Sequence, residues 1–92
     1  MEELFRLDNY QYELFDVFAN NKYEHTVAAI EFENPWDASI HDINKDVYPG
    51  SRVFADGRYF ICTNVRLTKS PENSGTILQI TMLELYIKRR VN

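Results

Sequence analysis

The feature that most narrows what this chain can fold into is the dipeptide Asp56-Gly57, set between two strand-forming runs, Arg52–Ala55 and 58–68. A two-residue hairpin loop of this composition favours a type I′ turn. That turn needs positive φ at both central positions and carries the right-handed twist of the flanking strands. The turn fixes a register: Ala55 opposite Arg58, Phe54 opposite Tyr59, Val53 opposite Phe60. Along the second strand, Tyr59, Ile61, Thr63, Val65 and Leu67 are expected on one side, with Phe60, Cys62, Asn64 and Arg66 on the other. Pro49-Gly50 leads into the hairpin, and a polar loop from Lys69 to Gly75 leaves it.

A final strand is read over 76–89, because Thr76, Ile77, Ile80, Thr81, Tyr86 and Ile87 are β-formers that outweigh a helical reading. Its apolar pattern changes parity: Leu78, Ile80 and Met82 fall on one side, then Leu83, Leu85 and Ile87 on the other. Such a change predicts a β-bulge or a barrel corner at Met82-Leu83.

Upstream, 23–33 reads as a half-buried strand, with Ala28, Ile30 and Phe32 alternating against Ala29, Glu31 and Glu33. Asn34-Pro35 ends it, since proline lacks the next ladder donor. From Trp36 to Tyr48 the pattern is irregular, and Ile40, Ile43 and Val47 are spaced for a short helix or a packed loop.

Residues 1–20 fit two readings. Leu4, Leu7, Gln11, Leu14 and Phe18 share a helical face, whereas Tyr10, Tyr12 and Leu14 alternate as in a hairpin turning at Asp8-Asn9. The 10–18 stretch leans towards β, and Asn20-Asn21-Lys22 marks a turn. The expectation is one mostly β domain over 1–92, a small, partly open β-barrel or sandwich of antiparallel strands. A short N-terminal helix remains an alternative.

Composition sets limits on function. Six Tyr and six Phe among 92 residues supply rings for sheet packing and contact surfaces. A net charge of −4 argues against a general nucleic-acid binder, which needs a basic stripe to displace phosphate counterions. Cys62 is the sole cysteine, which rules out an intramolecular disulfide and a thiolate cluster. The acidic start is unlike a signal or transit peptide, and no uncharged apolar run approaches the length of a membrane span. The expectation is a soluble chain with no membrane partner.

Catalytic chemistry finds no support in the spacing. His25 and His41 do not combine with Cys62 in a metal-ligand pattern, and Cys62 reads as a small hydrophobe inside a strand. Glu31 and Glu33 share one side of their strand and read as its solvated face. No phosphate loop, dinucleotide fingerprint or nucleophile elbow is present. The expectation is a non-enzymatic protein with no cofactor and no metal.

Contact features stand out instead. Trp36 is the only tryptophan and lies in a loop, the kind of residue that anchors interfaces or else folds over a core. Arg58 and Arg66 beside Tyr59 and Phe60 resemble the aromatic–basic face of an oligonucleotide-binding barrel, a reading the net acidity opposes. Lys88-Arg89-Arg90 is a solvated strand end or a basic tail for an acidic neighbour. Trp36, Arg58, Lys88, Arg89 and Arg90 are the candidate protein-contact residues.

Residues 48–87, through the segments YPGSRVFADGRYFICTNVRL and TILQITMLELYI, resemble small β-barrel proteins of tailed bacteriophages: head–tail connector (head-closure or stopper) proteins and tail-hub modules. Gly57, Arg58, Tyr59, Ile61 and Val65 match the middle of that pattern, and Leu83-Glu84-Leu85 its end. The acidic, aromatic N-terminal third departs from it. The resemblance implies a virion ring subunit assembled in the bacterial cytoplasm, a homo-oligomer that meets other ring proteins through loops and edge strands. Association would also add buried area that so small a core lacks. An inhibitor or adaptor that grips one host protein through the Trp36 loop and the acidic strand face is the alternative. A single-strand nucleic-acid module using 58–66 stands behind both.

Overall fold

A computed structural model describes residues 4–72 and 75–85. It contains six strands, β1 (Leu4–Arg6), β2 (Glu13–Ala19), β3 (Lys22–Phe32), β4 (Arg52–Ala55), β5 (Arg58–Lys69) and β6 (Thr76–Glu84). A 3-10 turn (Leu7–Asn9) and one helix, α1 (Ala38–Asp46), complete the described elements. The strands form a single mixed sheet in the order β1-β4-β5-β6-β3-β2, open at β1 and β2. Every neighbouring pair is antiparallel except β1 and β4, which run parallel. The mostly β expectation holds, and the partly open barrel or sandwich of antiparallel strands takes the form of one open, mixed sheet.

Two tight turns build the hairpins. Asp56 and Gly57 adopt φ of 56° and 75°, and the register Ala55–Arg58, Phe54–Tyr59, Val53–Phe60 is the one the turn type dictates. Asn20 and Asn21 repeat the device at φ of 57° and 64°, joining β2 to β3. Asparagine tolerates this left-handed region because its short polar side chain bonds locally. The hairpin of the N-terminal third therefore turns at Asn20-Asn21. Asp8-Asn9 instead lies in the 3-10 turn, and no α-helix forms among residues 4–20.

The 34–51 segment is ordered by local hydrogen bonds. Trp36 N donates to Asn34 Oδ1 at 2.9 Å, and Ser39 N donates to the N-cap carboxylate of Asp37 at 2.8 Å. The helix that follows carries Ile40 and Ile43 on one side, and Val47 N closes it on the Ile43 carbonyl at 2.8 Å. Pro49 and Gly50 then make a turn in which Ser51 N donates to Tyr48 O at 2.9 Å. Gly50 at φ 102° supplies the positive φ that a type II turn requires after proline.

One face of the sheet is the core face. Ala28, Ile30, Phe32, Val53, Ala55, Phe60, Cys62, Leu78, Ile80 and Met82 are buried there against Leu7, Ile40, Ile43 and Val47. Each fully buried large aliphatic among them stabilises the fold by roughly 1.5–3 kcal/mol relative to exposure. Tyr10, Tyr12 and Leu14 pack at its margin. The molecule is only 19 Å thick in its short dimension, as expected for one sheet covered on one side.

Two strand-level expectations need correction. β6 runs through Met82-Leu83 without a bulge, pairing Met82 with Cys62 and Leu83 with Ile61. Its change of apolar parity arises because Leu83 and Leu85 lie on the opposite, open face, where both stay exposed. The irregularity sits on β5 instead, between Cys62 and Asn64, where Thr63 is the extra residue. That bulge also breaks the expected alternation of β5. Phe60 and Cys62 face the core before it, and Val65, opposite Ile80, faces it after. The 86–89 part of the expected last strand lies outside the described residues.

Candidate protein-contact face

The register defines the open face row by row, because residues directly opposite in neighbouring strands project to the same side. One row runs Arg6–Phe54–Tyr59 across β1, β4 and β5. The Phe54 and Tyr59 rings meet at 5.0 Å, and the Arg6 guanidinium lies 4.9 Å over Phe54. The next row contains Arg52, Ile61 and Leu83, and Val17 pairs with His25 on the far strands. A third runs Asn64–Thr81–Val27–Phe15, and a fourth Arg66–Gln79–Ala29–Glu13. The last joins Thr68, Ile77 and Glu31.

The upper rows therefore form an apolar band across the sheet. Phe15, Tyr59, Leu83 and Leu85 in it are exposed, with Val17, Val27, Phe54 and Ile61 half-buried between them. No described element covers this side. Isolated exposed hydrophobes are ordinary, but a contiguous band is the mark of an interaction surface. The charges on the same face are segregated. Arg6, Arg52 and Arg66 lie on β1, β4 and β5, while Glu13 and Glu31 lie on β2 and β3.

Opposite this band, the core face ends in a closed ring of hydrogen bonds. Thr26 Oγ1 donates to Asp16 Oδ1 at 2.6 Å, so its proton is committed to the carboxylate. The Tyr23 hydroxyl, 3.0 Å from Thr26 Oγ1, must then be the donor to it. The Tyr23 oxygen in turn accepts from Glu84 N at 3.1 Å. Arg58 Nη2 completes the ring, donating to Asp16 Oδ1 at 3.0 Å and Glu84 Oε1 at 2.8 Å. The guanidinium also lies 5.0 Å over the Phe60 ring. Glu84 above all, then Asp16, holds Arg58 still more firmly protonated than usual. The Thr26 hydroxyl and then Arg58 hold the Asp16 carboxyl below its ordinary range. Two carboxylates saturate one cation here, so the ring ties four strands together and presents no nucleophile.

The other candidates fall apart as a constellation. Arg58 and Phe60 face the core side while Tyr59 and Arg66 face the open side, so the fold does not assemble an aromatic–basic nucleic-acid face from them. Trp36 is 87% exposed in its turn and does not fold over the core. Cys62 is buried and burial pushes its thiol up, leaving it protonated at neutral pH. His41 is exposed on α1, and no metal-binding group of three acidic, histidine or cysteine side chains occurs among the described residues. No helix among them is long and apolar enough to cross a membrane. Lys88, Arg89 and Arg90 lie outside the described residues.

The open face was the feature the sequence reading missed. Its signal was present in Leu83 and Leu85, whose parity marks a second apolar side of the sheet. No protein-family model, curated protein or solved structure matches the chain.

Proposed function

We propose that this chain is a non-enzymatic assembly protein that works through its open sheet face and the Trp36 loop. The setting we propose is the head–tail connector or tail of a bacteriophage, where the chain serves as a ring subunit. The observation that carries the contact role is the apolar band of Phe15, Val17, Val27, Ile61, Leu83, Tyr59 and Phe54, which no described element covers on one side of the sheet. The setting rests on the resemblance of 48–87 alone.

Faces suit this role better than edges here. β2, an edge strand, carries the inward-pointing charge of Asp16, and its pairing with β3 is broken between Val17 and Phe18 by the extra residue Glu24 of β3; β1 at the other edge is described over Leu4–Arg6. Charges and bulges are devices that stop edge-to-edge pairing. The test is the mass of the chain with and without the neighbouring ring proteins, together with its presence in purified particles. A shift to a stoichiometric complex is expected. A chain that joins neither rings nor particles, but captures a single host enzyme, would replace this reading with the adaptor one.

A further inference from the structure

We infer that the open face is closed by a second copy of this chain, packed face to face about a two-fold axis parallel to the strands. The inference rests on the reading of this face as a contact surface and not on the virion setting.

Three observations lead there. The molecule is broad enough: its two long dimensions are 48 and 36 Å, which leave room for the roughly 800 Å² per partner of a standard interface. The band is apolar and runs across the strands, so two sheets packed about 10 Å apart at roughly −30° lay band on band. The charges then choose among symmetric arrangements. A two-fold axis along the strands reverses the strand order between copies. With the axis between β6 and β3, it sets β5 of one copy over β2 of the other and β6 over β3, while β1 and β4 reach past the partner's sheet edge.

With the axis between β6 and β3, the row Arg66–Gln79–Ala29–Glu13 becomes self-complementary. Arg66 of each copy then meets Glu13 of the other, and Thr81 meets Val27. An axis along the rows would instead stack arginine on arginine and glutamate on glutamate. Isologous contacts of this kind close at two subunits and do not propagate into fibres, so in a ring the pair would meet further neighbours through the Trp36 loop and not through this face. Removing the band from water supplies the driving force, and the two reciprocal Arg–Glu pairs fix orientation more than they add affinity.

Sedimentation equilibrium on the full chain from about 1 to 100 µM reads the outcome. The expected species has twice the 10.9 kDa chain mass. Arg66→Glu and Glu13→Arg should each weaken association about tenfold or more, and the double swap should restore it to within a few-fold of the parent. Phe15→Asp, which buries a charge in the band, should leave a monomer with an unchanged circular-dichroism spectrum. A parent that stays monomeric at 100 µM overturns the inference even if particles incorporate the chain. A dimer insensitive to Phe15→Asp and to the charge swaps overturns it equally.

Discussion

Arg58 is the residue on which the most strands depend, since its guanidinium joins Asp16 on β2 to Glu84 at the end of β6 from its own place at the start of β5. Arg58→Met removes the guanidinium that lies over Phe60 and leaves the half-buried Glu84 and the more exposed Asp16 without their cation. A loss of about 2–3 kcal/mol is expected, read as a shift in denaturant midpoint at constant slope. Asp16 makes the pH dependence. Its folded pKa is lowered, so the stability it contributes is fully present above its unfolded value of roughly 3.9. That stability is lost as pH falls through the folded value. Asp16→Asn should therefore be less stable than the parent at pH 7 and lose less on acidification from about pH 5 to 2, as melting temperatures across that range would show. None of this ring was legible in the sequence. Asp16, Thr26, Arg58 and Glu84 are far apart in the chain, and only the strand order brings them together.

At the level of elements, local signals carried far. The Asp56-Gly57 turn fixed strand boundaries and register together, because positive φ at two successive positions admits one hairpin geometry. Gly57→Ala tests that dependence: φ of 75° places a Cβ in the left-handed region, although no neighbouring atom blocks the space. The cost should be about 1–2 kcal/mol from backbone strain alone, visible in equilibrium unfolding with the fold retained. The helix was legible only as one of two options, since the spacing of Ile40, Ile43 and Val47 suits a short helix or a packed loop; the Asp37 cap that decides for the helix is seen in the structure. The bulge was not legible. A switch of apolar parity has two physical causes, an extra residue or a second apolar face, and one strand viewed alone cannot separate them. In β6 the cause is the second face, and the extra residue is Thr63, where β5 shows only a polar interruption.

For the whole molecule, the decisive fact is that the layer formed by α1 and the 3-10 turn covers one side of the sheet only. Both crossings, from β1 to β2 and from β3 through α1 to β4, contribute buried residues to the same core, Leu7 from the first and Ile40 and Ile43 from the second. Sequence could not assign them to one side, because the side depends on strand order and not on any local pattern. If a second copy occupies the open side, folding and association are linked, and stability becomes a property of concentration. A hundredfold rise in concentration is worth about 2.7 kcal/mol per dimer, or roughly 1.4 kcal/mol per chain. For a domain of this size that corresponds to a rise of roughly 5–10 °C in melting temperature. Scans of the parent at about 5 and 500 µM should differ by this amount, while Phe15→Asp should melt at one temperature at both concentrations. A parent whose melting point ignores concentration would mean that the band contributes nothing to self-association.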